Sequence, residues 1–197
     1  MFEKTYENGF ELVVVPTQSP VAAVQVWVDV GSIDEAPKEA GYCHFLEHML
    51  FKGTKKRTTQ EIAGTVEGSG GEMNAYTSFE HTVYHITLAA DRWAIANDIL
   101  FDMALSSQFL PKEFAPEKEV ILEEIKRSDD SPDRQLYQGI YTMLYGKAGY
   151  GRPVIGFPRT VAACTAASLK SFWKKWYSPR LMTLVVCGNV DPIKVEK

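Results

Sequence analysis

Gly41-Tyr42-Cys43-His44-Phe45-Leu46-Glu47-His48-Met49-Leu50-Phe51 has the spacing of an amphipathic helix whose polar side is chemically loaded. Positions three, four and seven apart share a helix face, so His44, Glu47, His48 and Phe51 fall on one stripe. Tyr42, Phe45, Leu46, Met49 and Leu50 form the neighbouring apolar stripe that would bury the helix. Two imidazoles on successive turns can converge on one divalent metal, and His44 and His48 have that spacing. Glu47, beside His48, is placed to activate a water at such a metal. The order HxxEH reverses the HExxH that zinc peptidases also use, and read from the opposite end it offers the same three groups. The alternative is an ordinary helix surface, because a motif this short also arises by chance.

Composition narrows the class. The chain has 197 residues, 45% hydrophobic and 23% charged, enough for one substantial core and short for two, so a single globular domain over 1–197 is expected. A net charge of −4 and a pI near 5.6 speak against a nucleic-acid binder, and the densest basic cluster, Lys52 to Arg57, reads as a solvated helix end. Cys43, Cys164 and Cys187 are odd in number and widely spaced, which fits free thiols in a reducing compartment. Cys43 lies on a different helix face from His44 and reads as a packed thiol. No apolar run approaches the ~20 residues of a membrane span and the first residues lack a signal-peptide layout, so a soluble, cytoplasmic chain without a membrane partner is expected.

Outward from the motif, the helix is predicted over about Glu39 to Lys52, with Gly53 as a C-terminal cap. Strands are predicted at Phe10 to Pro16 and Val21 to Val30 before it, joined to it by a loop over Gly31 to Pro37. Thr58 and Glu61 form a capping box for a second helix reaching Glu67. Glu72 to Thr77 and Thr82 to Leu88 read as two strands. His81 and His85 are four apart, but along a strand that separation is about 13 Å, too far for one metal, so both are assigned structural roles. Helices follow at Asp91 to Ser107, Ala115 to Arg127 with Pro116 in its first turn, and Asp133 to Tyr145. Gly146 to Pro158 reads as a loop that packs down through Tyr150, Val154, Ile155 and Phe157. Thr165 caps a helix with a core-facing stripe of Leu169, Phe172, Trp173, Trp176 and Tyr177. Leu181 to Cys187 is a buried strand, and a further helix begins near Pro192 and is expected to be cut short at Lys197.

In the Ala115 to Arg127 helix, Glu117, Val120, Ile121 and Glu124 share a stripe. Glutamates are common on helices, and Glu113, Glu119 and Glu123 read as solvated. Glu117 and Glu124 differ in lying on a face that otherwise buries apolar side chains.

Gly41 to Thr54, Gly70-Gly71-Glu72-Met73-Asn74-Ala75-Tyr76-Thr77 and Val120-Ile121-Leu122-Glu123-Glu124-Ile125 together resemble successive signatures of the inverted-motif zinc peptidases, the inverzincins pitrilysin, insulysin and the processing peptidases. Tyr150 to Gly156 and Val185 to Asp191 also match that family's pattern, so the resemblance covers nearly the whole chain. It implies an α+β fold, a mostly antiparallel sheet packed against helices. It implies a Zn2+ cofactor with Glu124, 76 positions beyond His48, as third ligand to His44 and His48. Glu117 then supports the site behind the ligands. Glu47 acts as general base in peptide hydrolysis, and an extended peptide or unfolded polypeptide substrate lies along Glu72 to Thr77, with Asn74, Ala75 and Tyr76 as its binding residues.

Such enzymes resemble two or four copies of this domain closing on the substrate. The resemblance therefore implies a missing partner half, a C-terminal domain or a second subunit forming a dimer, without which this N-terminal domain is weak or inactive. Tyr42-Cys43 and Arg180 depart from the family's usual residues, but none is a proposed ligand. Two other readings stay open: a catalytically silent partner subunit, and a peptide-binding module with a structural metal.

Overall fold

Strand propensity and alternation organise the sheet. In a computed structural model describing residues 1–196, β1 (Phe2–Thr5), β2 (Glu11–Pro16), β3 (Val21–Val28), β4 (Glu72–Thr77), β5 (Thr82–Ala89) and β6 (Met182–Gly188) form one six-stranded sheet in the order β1-β2-β6-β3-β5-β4. Four of its five pairings are antiparallel, and β2 with β6 is parallel. Along β3, Ala22, Val24, Val26 and Val28 are fully buried while Ala23, Gln25 and Trp27 are only half-buried, the period-two pattern of a sheet covered on one face. Leu12, Val14, Met182, Leu184 and Val186 continue that buried face.

The helices cover it. They are α1 (Tyr42–Leu50), α2 (Thr59–Gly68), α3 (Trp93–Ser106), α4 (Pro111–Asp129), α5 (Pro132–Tyr145), α6 (Pro158–Ala163), α7 (Ala166–Trp176) and α8 (Pro192–Glu196). The apolar stripe expected of the motif helix is its buried side: Tyr42, Cys43, Phe45, Leu46, Met49 and Leu50 all lie in the core. Phe45 is fully buried and its ring stacks on Phe114 of α4, with centroids 4.8 Å apart. This contact brings the two chemically loaded helices together. The α7 stripe is also core-facing, with Leu169, Phe172 and Tyr177 buried and Trp173 and Trp176 packed against the same cluster.

Several local expectations change. The motif helix spans Tyr42–Leu50 rather than 39–52, because Pro37–Glu39 forms a separate 3₁₀ turn and Gly41 at φ 95° breaks the helical path. Helix α4 starts at Pro111, where a proline suits the first turn, and Pro116 sits inside it. β1 and α6 are additional to the elements the sequence predicts, since Phe2–Thr5 is short and half charged and α6 is a single six-residue stretch at the end of a glycine-rich segment.

The basic cluster Lys52 to Arg57 is not simply solvated. Arg57 is half-buried and pairs with Asp98 and, at 2.8 Å, with Asp102, whose side chain is buried and also accepts from the Thr54 hydroxyl at 2.7 Å. An acidic partner on α3 thereby ties down the segment after α1. Among the described residues, no helix is long and apolar enough to cross a membrane.

Truncating Phe45 removes a fully buried ring between α1 and α4, and Phe45→Ala is expected to cost about 3–5 kcal/mol, read as a lowered urea midpoint.

Candidate metal centre

The polar stripe of α1 faces α4. His44 Nε2 and His48 Nε2 lie 3.8 and 3.6 Å from Glu124 Oε2, and the imidazole centroids are 4.7 Å apart. Zinc holds nitrogen and oxygen donors at about 2.0–2.2 Å, which makes a tetrahedral edge of about 3.3–3.6 Å. The observed separations are too long for hydrogen bonds and close to what three donors around one ion require. Among the described residues these three form the one group of histidine, cysteine or acidic side chains with that convergence, all ligand atoms lying within 4.8 Å of one another. The donor set of two imidazoles and a carboxylate fits zinc chemically.

Burial and the neighbouring His48 push the His44 imidazole down to about 3, which leaves it neutral with a lone pair to share. His48 is oriented from behind. Its Nδ1 lies 2.8 Å from Glu117 Oε1, and Lys52 Nζ lies 2.6 Å from Glu117 Oε2. Burial alone would raise the Glu117 carboxyl, but the bonds to His48 and Lys52 outweigh it and hold it below the ordinary value. An ionised Glu117 can only accept, so His48 Nδ1 carries a proton and donates it to Oε1, and Nε2 is the nitrogen that faces Glu124. His44 has no such partner: its Nδ1 is buried and unpaired among the described residues.

Glu47 stands on the same side of α1. Burial raises its carboxyl above the ordinary value, against the opposing pull of the Thr77 hydroxyl and His48. Thr77 Oγ1 donates to Glu47 Oε2 at 2.5 Å, so the end of β4 fixes one carboxylate oxygen and leaves the other available. Sequence reasoning missed Thr77 and Lys52, because each acts through a side chain from another element.

The remaining predicted residues are distributed as follows. Glu124 is about one-third exposed at the site while Glu123 turns outward to Lys126, and Val120 is exposed, so the buried face of α4 is Phe114, Glu117, Ile121 and Ile125. Asn74, Ala75 and Tyr76 lie on β4, one of the two edge strands of the sheet. The Asn74 amide oxygen accepts from the Ala75 N–H at 2.8 Å. The side chain of Tyr76 is not brought to the centre: it meets Trp27 and His81 edge-on, at 6.4 and 5.9 Å. His81 packs 4.9 Å from Trp27 and His85 sits in β5 opposite Asn74, both away from the metal centre. Cys43 is buried, and burial followed by the nearby Glu35 holds its thiol well above the usual value, far from the thiolate a metal would need.

Beside the centre opens a cleft of about 900 Å³, walled by His44, Glu124, Phe79, Tyr137 and the segment from Pro153 to Pro158. Part of the loop expected to pack down therefore forms a wall, with Phe157 42% exposed.

An α+β sheet with an HxxEH helix facing an acidic helix defines a metallohydrolase-type domain, and comparison with known proteins agrees. Residues 12–157 match the family described as Insulinase (Peptidase family M16), and residues 163–197 match the Peptidase M16 inactive domain. The chain belongs to the insulinase (M16) peptidase family. An uncharacterized zinc protease of Mycobacterium leprae is 42% identical over 170 residues, covering 86% of this chain and 38% of that protein. The uncharacterized zinc protease YmxG of Bacillus subtilis is 37% identical over 189 residues, covering 95% and 46%. A protease from Helicobacter pylori superposes with a TM-score of 0.94 at 32% identity, over 99% of this chain and 48% of that one. The periplasmic protease PqqL from Escherichia coli gives 0.91 at 28% identity, over 99% and 22%. The chain thus spans less than half the length of these relatives.

A depressed imidazole sets a sign for acid stability. The unfolded chain takes up a proton near pH 6.5 that His44 in the folded, metal-free chain refuses until about 3, so His44 withdraws stability as pH falls through that window. By pH 4.5 the loss is about 3 kcal/mol. Denaturant titrations of the metal-free chain and of His44→Asn should diverge below pH 6.5, the variant losing less.

Proposed function

We propose that residues 1–197 are a single peptidase domain of a longer zinc-dependent endopeptidase that hydrolyses extended peptides. His44, His48 and Glu124 hold the ion, Glu47 is the general base, and Glu117 orients His48. The observation that carries this reading is the approach of two Nε2 atoms and one carboxylate oxygen to 3.6–3.8 Å without a hydrogen bond between them. The names of the M. leprae and B. subtilis relatives, both zinc proteases, support the choice of metal.

When bound, zinc supplies Lewis-acid polarisation of the scissile carbonyl and lowers the pKa of a water to about 7. The chain's own residues do the rest. Glu47, a better base for its raised pKa and steadied by Thr77, takes the proton of the attacking water through its free oxygen. It returns that proton to the amine as the peptide bond breaks. His44, neutral by burial, competes for no proton at this step.

An extended substrate is expected to pair with the backbone of β4, whose free edge lies at the margin of the sheet next to Thr77. Asn74 contributes by covering the Ala75 N–H until a peptide carbonyl replaces it. Such backbone pairing tolerates many sequences, which suits an unfolded polypeptide. The second half of the enclosure is assigned to the rest of the protein, a further domain or a dimer partner, so the isolated chain is expected to cleave poorly. The three unpaired cysteines support a cytoplasmic location.

In the full-length protein, Glu47→Gln should lower cleavage of an unfolded polypeptide by about 10²–10⁴-fold while zinc content stays at one ion per site. Unchanged cleavage would refute the catalytic assignment. Glu124→Gln should lose most of its zinc on dialysis, and full occupancy would remove Glu124 from the ligand set.

A further inference from the structure

His48 is held by Glu117, but among the described residues His44 has no side-chain partner on its second nitrogen. The direction of its ring therefore depends on where the first turn of α1 places its backbone. That turn is held by a carboxylate the metal centre does not use. Glu35, 4% exposed, accepts from the Gly41 N–H at 2.9 Å through Oε2 and from the Cys43 N–H at 2.7 Å through Oε1. These are two of the amide groups that a helix start leaves without an internal partner. Burial pushes the Glu35 carboxyl up to about 7, against the opposing pull of these two N–H bonds, and both oxygens accept from the turn.

Glu35 is itself pinned. Arg152, 6% exposed, donates through Nη2 to the carbonyl oxygens of Ser32 and Glu35, each at 2.8 Å. The residues after Arg152 close on the same turn. The Thr160 hydroxyl donates to the Ala40 carbonyl at 2.6 Å. Gly41 and Gly156 both have positive φ, 95° and 80°, and touch so closely that a Cβ on Gly41 would lie 2.6 Å from the Ile155 carbonyl oxygen and one on Gly156 2.4 Å from that of Ala40. The Tyr150 to Gly156 signature thus has a physical task that the chemistry at the metal does not explain.

We propose that Glu35 is a positioning residue for the metal centre: with Arg152 behind it, it fixes the first turn of α1 and so aims His44 at the ion. Pro153 to Phe157 both lines the cleft and continues the chain from Arg152, so the same clamp ties the cleft wall to the metal helix. The inference rests on the metal reading above, and its test separates the two.

The experiment measures zinc affinity by chelator competition, and the ligand-field absorption of the Co2+-substituted chain, for the parent and for Glu35→Gln, which keeps the side-chain volume. Glu39→Gln is the control, because Glu39 caps only the Ala36 N–H, outside α1. For Glu35→Gln the zinc dissociation constant should rise about 10–100-fold, the scale expected when a ligand loses its outer support. The cobalt bands should shift, while Glu39→Gln matches the parent. A purely structural role would lower the unfolding midpoint but leave affinity and bands unmoved in the folded variant, and that result overturns the proposal. Should Glu35→Gln fail to fold, Arg152→Lys is read by the same criteria, and affinity within twofold of the parent again overturns it. In metal-free protein the histidine ring NMR signals give an independent reading: those of His44 should move in Glu35→Gln and those of His48 should not. A stationary His44 signal contradicts the proposal even if the parent binds no zinc, a failure that would count against the metal reading alone.

Discussion

The approach of α4 to α1 is the constraint on which the rest depends. Helix α1 alone can offer two imidazoles on one face, but a closed set of donors needs an acidic side chain from elsewhere. Phe45 stacked on Phe114 fixes the separation of the helices, and Glu117 between His48 and Lys52 fixes their relative rotation. With both contacts in place, Glu124, seven residues beyond Glu117 on the same helix, arrives opposite both Nε2 atoms. Apolar packing and a half-buried ion pair thus act together, the first supplying most of the stability and the second the orientation.

The sheet contributes from the other side. β4 ends at Thr77 with its hydroxyl on Glu47, so the strand proposed to hold substrate also sets the proposed base. This couples two requirements of peptide hydrolysis, the position of the chain and that of the proton acceptor. A cleft next to the ligands, partly walled by exposed side chains such as Phe157, is consistent with a domain that works against a second surface.

How much could be read from the sequence follows from how local each signal is. Helix periodicity exposed α1 and its chemistry, and the Thr58 and Thr165 caps located α2 and α7 within a residue, because those patterns are written in consecutive positions. Alternation marks β3, and the short turn between two runs marks β4 and β5, whereas β1 has only four residues and no such signal. Helix periodicity sets Glu124 apart from Glu123 and family resemblance makes it a ligand, and the two differ in where their carboxylates turn, one to the histidines and one to Lys126. Glu35, Lys52, Thr77 and Arg152 could not be assigned from their own neighbourhoods. Each acts on a residue 6 to 120 positions away, and only the folded chain puts a polar group beside the partner it needs.

His44, His48 and Glu124 are proposed to form one tetrahedral centre with a fourth position open. Zinc K-edge X-ray absorption of the metal-loaded protein tests it most directly. The proposed ligand set should give two imidazole nitrogens and two oxygens, all at about 2.0–2.2 Å, with no sulfur. A scatterer at about 2.3 Å, the distance of a cysteine thiolate, or the signal of fewer than two imidazoles, would contradict it.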